Sequence, residues 1–138
     1  MKIEQHDISQ IRPYENNPRL NDRAIDGVAA SLTEFGWRQP IVVDRHGVIV
    51  VGHTRYKAAL KLGLATVPVH VATDLTEQQA RAYRLADNQT GGLAHWDLEL
   101  LPTELKGLDA NGFDLSLIGF PEDELAELLG EELADSLV

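Results

Sequence analysis

Val48-Ile49-Val50-Val51-Gly52-His53-Thr54-Arg55-Tyr56-Lys57-Ala58-Ala59-Leu60-Lys61-Leu62-Gly63 is the stretch whose reading decides the fold. Its leading apolar residues make a buried strand that stops at Gly52. Thr54 is a natural helix N-cap, and Arg55 to Leu62 reads as a short amphipathic helix closed by Gly63. A strand, a glycine and a helix start aim main-chain N–H groups and a positive dipole end at one point. His53 and Arg55 bracket that point, which suits an anion and above all a phosphate. Taken alone, the same residues also fit an ordinary strand-to-helix turn with a solvated arginine.

Upstream, Pro40 to Val43 is a second short strand. Asp44-Arg45-His46-Gly47 is the turn that joins it to Val48–Val51 as a hairpin. Downstream, Thr66 to Val71 is a third strand reached through the helix, so the hairpin's second arm and this strand form a strand–helix–strand unit with a parallel last pair. Ile25, Val28, Ala29, Leu32 and Phe35 share one helical face, with Asn21 as cap and Gly36 as stop. Ile3, Ile8 and Ile11 mark a short strand and a turn, and the Pro- and Asn-rich segment Arg12 to Arg19 is a loop.

Thr76 and Gln79 form a capping box for a helix that runs to about Asp87, followed by a polar loop from Asn88 to Gly92. Beyond Asp97, Leu98, Leu101, Leu105 and Leu108 share a helical face. Pro102 places the start of that helix at Leu101, because a proline is tolerated only in the first turn. Pro121 opens a last helix with Glu122, Asp123 and Glu124 in its first turn, where the dipole favours them. This order predicts an α+β fold: a small mixed β-sheet with flanking helices and a helical, acidic C-terminal extension.

The chain has 138 residues, a hydrophobic fraction of 43% and a formal net charge of −10. The charge is unevenly placed: residues 1–96 carry 11 Lys and Arg against 10 Asp and Glu, whereas residues 97–138 carry Lys106 against 12 acids. A near-neutral domain over 1–96 is thus joined to an acidic extension over 97–138. Such an extension repels nucleic acid, so a phosphate-binding surface belongs on the first part. The chain has no cysteine, which excludes disulfides, thiolate catalysis and cysteine-based zinc sites. The polar N-terminus and the lack of a long apolar run point to a cytoplasmic protein without a membrane partner. The five histidines are scattered without paired spacing, and no Gly-x-Ser-x-Gly elbow or full phosphate-binding loop is present.

Three stretches in order, Asn17-Pro18-Arg19, Leu32 to Val43 (Leu-Thr-Glu-Phe-Gly-Trp-Arg-Gln-Pro-Ile-Val-Val) and Val51 to Ala59, resemble the N-terminal domain of ParB-type partition proteins. That superfamily also contains sulfiredoxin and a free-serine kinase, and the resemblance spans about residues 3–96. It implies a nucleotide site in which Gly52, His53, Thr54 and Arg55 hold the phosphates of CTP, ATP or ADP. It places Asn17, Arg19, Gln39 and Pro40 in the same cleft. Asp87-Asn88 resembles the acid–Asn pair that holds a divalent cation there, and hard oxygen ligands of this kind suit Mg²⁺. Thr54 stands where ParB proteins carry an arginine, and His53 where sulfiredoxin carries its cysteine; with no cysteine in the chain, sulfinic acid reduction is not supported. Gly112 to Phe120 before the acidic helix resembles the segment that joins ParB-like domains to DNA adenine methyltransferases in phage and prophage proteins, although no Asp-Pro-Pro-Tyr motif is present.

These residues support a ParB-like nucleotide-binding module in DNA metabolism, phage-related or tied to DNA modification. Its expected partners are a nucleotide, DNA or a DNA-modification enzyme, and a second copy of the chain. A small-molecule kinase or nucleotide hydrolase is the enzymatic alternative, with Glu15 and His53 as candidate acid–base groups. No dense carboxylate cluster suited to two-metal phosphodiester cleavage is present. An interaction adaptor with a decayed nucleotide site is the third reading. Asp87-Asn88 also fits a plain helix C-terminus, and Trp37 and Trp96 fit either a base-stacking role or the core. Tyr83 and Arg84 on the same helix read as packing and surface contacts, with Arg84 also able to reach a phosphate from one turn away.

Overall fold

The computed structural model describes residues 1–17, 24–92 and 95–130. They divide into two compact units, residues 1–93 and 94–138. The first is built on the hairpin, whose arms are β2 (Ile41–Val43) and β3 (Ile49–Val51). Its turn is held by Asp44, whose Oδ1 accepts the main-chain N–H groups of His46 (2.8 Å) and Val48 (3.0 Å). Before it in the chain come β1 (Glu4–Asp7) and α1 (Ile25–Phe35). After it come α2 (His53–Leu62), β4 (Thr66–Val71) and α3 (Glu77–Gly92).

The four strands lie in the order β1-β4-β2-β3, with β4 parallel to β2 and antiparallel to β1. This corrects the expected pairing of the hairpin's second arm with the third strand: α2 carries the chain past β2, and β4 docks on the far side. The reason lies at the outer edge of β3, which is already occupied. Arg12 donates its N–H to the Gly47 carbonyl and accepts from the Ile49 N–H, both at 2.9 Å. With that edge closed, the apolar β4 takes the free edge of β2, where Ile41, Val43, Val67 and Val69 are almost completely buried. Ile11, Ile49 and Ala59 complete the core, with Trp37 and Tyr56 against it.

α1 and α2 pack on one another, and α2 also touches β2. Ala29, Ala58 and Ala59 are buried there. Phe35, expected on the buried face of α1, is exposed, because it is the last residue before Gly36 turns the chain. The expected Asn21 cap lies outside the described residues. The capping box of α3 forms as its sequence requires: Gln79 N–H donates to Thr76 Oγ1 at 3.1 Å, and Thr76 N–H to Gln79 Oε1 at 3.0 Å. However, α3 continues through the expected loop to Gly92. Its buried Ala80 and Arg84 fix it on β3, and that anchorage outweighs the weak helix propensity of the Asn-Gln-Thr-Gly-Gly run.

The second unit contains α4 (Leu100–Ala110), a short 3₁₀ turn (Leu115–Ile118) and α5 (Glu122–Leu129) around buried Leu105, Leu115 and Leu129. α4 starts one residue earlier than Pro102 indicated, with Asp97 Oδ1 accepting from the Glu99 and Leu100 N–H groups. Pro102 still falls in the first turn, where its missing N–H costs nothing. Among the described residues no helix is long and apolar enough to cross a membrane.

Candidate functional site

Gly52 lies between β3 and α2 with φ +109°, a conformation that favours glycine. A Cβ at this position would stand 3.2 Å from Ile41 Cγ1 and 3.4 Å from Ile41 Cα. Only glycine therefore lets the end of β3 turn over β2 straight into a helix. Gly52 is also the N-cap, and among the described residues no side-chain cap hydrogen bond is made there. This corrects the expected cap: Thr54 is the second residue of the helix. The first helical bond runs from Tyr56 N–H to the Gly52 carbonyl at 2.9 Å. The amides of His53, Thr54 and Arg55 precede that ladder and form the positive end of α2.

A cavity of about 260 Å³ opens at this helix start. One wall is Gly52, His53, Thr54 and Arg55, continued by Val50 and Val51. Asp87 and Asn88 face it from α3, Asn17 from the N-terminal loop, and Ala24 and Val28 from the start of α1. Seven residues singled out from the sequence thus meet around one space, although they come from three separate regions of the chain. Gln39 is not in the wall, but its Oε1 accepts from the Arg55 guanidinium at 2.6 Å, which holds that cation beside the cavity. Its carbonyl accepts the Trp37 indole N–H at 2.5 Å, so Trp37 serves the core and this segment. Pro40 and Glu15 do not line the cavity, and Arg19 lies outside the described residues.

His53 is fixed by geometry. Its Nε2 accepts the Tyr14 main-chain N–H at 3.1 Å. An amide can only donate, so Nε2 carries a lone pair and the neutral ring holds its proton on Nδ1. Burial, then the Arg84 and Lys57 charges, push its pKa from 6.5 down to about 4. The atom needed for acid–base work is already engaged, and Nδ1–H remains as a donor.

Arg84 is the buried cation of this unit. Its Nε donates to the Ile49 carbonyl at 2.9 Å, and its terminal nitrogen lies 3.4 Å from Asp44 Oδ2. Its guanidinium stacks on the Tyr14 ring, 4.0 Å from the centroid. These contacts assign it to holding α3 on the hairpin. Tyr14 and Arg84 also border a second, more open cavity of about 570 Å³ with Asp44, His46, Glu77 and Arg81. Sequence reading gave Arg84 a packing or surface contact, with a phosphate as the other option, and gave Tyr14 only a place in a loop. The available signal was spacing: Ala80, Arg84, Asp87 and Asn88 fall at i, i+4, i+7 and i+8, one face of a helix.

Among the described residues no group of three or more His, Cys, Asp or Glu could hold a metal ion. Asp87 and Asn88 bring two side chains with hard oxygen donors to the cavity. Oxygen donors of this kind suit Mg²⁺, an ion that takes one or two protein ligands and would need no larger cluster.

The comparisons with known proteins agree with this architecture. The ParB N-terminal domain model matches residues 1–89, and the chain belongs to that family. The model of the ParB-methyltransferase HTH domain matches residues 99–137, the segment read above as an acidic extension. The ParB-like nuclease domain-containing protein YnaK of Escherichia coli is 34% identical over 80 residues, covering 57% of this chain and 92% of that protein. The chromosome-partitioning protein Spo0J of Thermus thermophilus is 33% identical over 130 residues, covering 90% of this chain and 44% of that one. The chain therefore spans less than half the length of that partition protein. A C-terminally truncated ParB from Caulobacter crescentus, solved with CTP-gamma-S, has a TM-score of 0.77 at 21% identity, covering 99% of this chain and 84% of that one. At that identity the likeness shows a shared fold.

Proposed function

We propose that residues 1–93 form a nucleotide-binding module that acts in DNA metabolism. The observation that carries this reading is the meeting of the α2 start, Arg55, Asn17 and the Asp87–Asn88 pair around one cavity. The amides and dipole of α2 supply a fixed positive field, and Arg55 supplies charge-assisted bonds to phosphate oxygens. His53 Nδ1–H adds a neutral donor. Asp87 and Asn88 would hold a Mg²⁺, which would supply positive charge against the phosphates. A volume of about 260 Å³ lies below the roughly 300–1,000 Å³ of drug-sized pockets, so it fits the phosphate chain rather than a whole nucleotide.

CTP is the first nucleotide to test, supported by the Caulobacter protein solved with CTP-gamma-S; ATP and ADP are the alternatives. The family match and the partition-protein relative support a DNA-related role. The methyltransferase-associated HTH match supports a setting in DNA modification. A binding switch is favoured over a kinase or hydrolase, because the Nε2 of His53 is engaged by Tyr14 and Glu15 is outside the cavity wall. Calorimetry with CTP, ATP, ADP and GTP plus Mg²⁺ tests the reading. One of them binds, and Arg55→Ala weakens it about 10- to 100-fold, the loss expected for charge-assisted bonds. An exposed control such as Lys2→Ala leaves affinity unchanged. Silence from all four nucleotides overturns the proposal.

A further inference from the structure

We propose that Tyr14 is the positioning residue of the phosphate cavity, latching the N-terminal loop to the head of α2 through its main chain and to α3 through its ring. The inference rests on the phosphate reading above, and it concerns how this chain holds that site open in a defined shape.

Two independent contacts meet in Tyr14. Its N–H reaches His53 Nε2 at 3.1 Å, a link between residues far apart in the chain. Its ring lies 4.0 Å from the guanidinium of Arg84, which is itself buried and bonded to the Ile49 carbonyl on β3. The loop that carries Asn17 into the cavity is therefore tied at Tyr14 to the two helices that wall it, to the α2 head through His53 and to α3 through Arg84, which stands outside the wall one turn before Asp87. The alternative partner for the Tyr14 amide is water, and a hydrated amide would leave His53 and the loop free to separate. The neutral ring of His53 follows from the same design, since a protonated imidazole has no lone pair for the amide. Arg84 gives the latch its fixed end. It cannot swing toward a phosphate without leaving a buried carbonyl and an aromatic face.

The test uses the full chain and two readouts. Nitrogen-15 NMR reports the His53 tautomer and the hydrogen exchange of the Tyr14 amide; calorimetry reports affinity for inorganic tripolyphosphate with Mg²⁺. The unaltered chain shows a neutral His53 with its proton on Nδ1 and a protected Tyr14 amide. Tyr14→Leu, which removes the ring stacked on Arg84, speeds exchange of the residue 14 amide about fivefold and weakens tripolyphosphate by a similar factor. His53→Leu exposes the amide in the same way. His53→Gln, whose side-chain oxygen reaches the position of Nε2, restores amide protection that His53→Leu lacks. Circular dichroism confirms that each variant is folded. An unprotected Tyr14 amide in the unaltered chain, or a folded Tyr14→Leu chain with unchanged amide protection, overturns the latch. Equal protection in His53→Gln and His53→Leu overturns it as well. If tripolyphosphate fails to bind the unaltered chain, the phosphate reading falls, and the NMR readout still decides whether Tyr14 links the two walls.

Discussion

The two units of this chain use opposite designs. In residues 1–93 the core is a sheet of strands distant in sequence, and the polar residues converge on a cavity. In residues 94–138 a leucine core forms between near neighbours in the chain. The acids there number 12 from residue 97 onward, against a single lysine. The difference teaches where a phosphate can bind. A backbone cage with one strategic arginine binds an anion locally even when net charge is close to zero. A segment with a net charge of −11 over residues 97–138 repels polyanions, whatever its fold. This segment is similar to an HTH domain model, yet its charge opposes an unaided role as a DNA reader.

The comparison breaks or sharpens at several residues. The largest effects fall on the two cores. Gly52→Val places a side chain against Ile41 at a left-handed position and should cost about 3 kcal/mol or more in the sheet unit. Leu105→Ala should cost about 3 kcal/mol in the helical unit. Urea unfolding followed through Trp37, over the sheet core, and Trp96, beside Phe120, would separate them. If both changes moved both reporters equally, the picture of two separate cores would be lost.

A smaller effect belongs to Asp87 and Asn88, the pair proposed to hold Mg²⁺. Asp87→Asn should reduce Mg²⁺-dependent nucleotide affinity about tenfold and remove most of its dependence on Mg²⁺. Calorimetry with and without the ion measures this, and an unchanged Mg²⁺ dependence would strip Asp87 of that role. The smallest is the pH response of His53. It titrates near 4 folded and near its ordinary 6.5 unfolded, so the unfolded chain takes up the proton first as pH falls. Its contribution to stability is complete above pH 6.5 and is lost progressively between 6.5 and 4. Denaturation at pH 7 and pH 5 should show a steeper loss in the unaltered chain than in His53→Gln. Parallel losses would mean that the ring is not buried in its neutral form.

Several features were legible in the residues because they arise between near neighbours. The Thr76–Gln79 box, the Asp44–Gly47 turn, the Gly63 stop and the Pro121 start each rest on a contact or backbone preference within about one turn of chain. Gly52 and Arg55 were legible through the family pattern as much as through chemistry. The cap of α2 was misplaced onto Thr54, since a hydroxyl there looks like a cap unless the left-handed glycine before it is known.

The sequence by itself determined the class of fold, the hairpin, the abrupt strand-to-helix change at Gly52 and the division into a neutral part and an acidic one. These follow from periodicity, turn chemistry and charge, which act over short distances along the chain. Only the tertiary structure decided that β4 sits beside β2, that α3 runs through to Gly92, and that Arg84 is a buried strut stacked on Tyr14. It also decided which members of the cleft implied by the family resemblance line one cavity: Asn17, Asp87 and Asn88 do, with the head of α2, and Pro40 does not. Those outcomes depend on which distant segment wins a strand edge or a buried carbonyl. That competition is settled by packing and desolvation across the whole unit, and no local pattern encodes it.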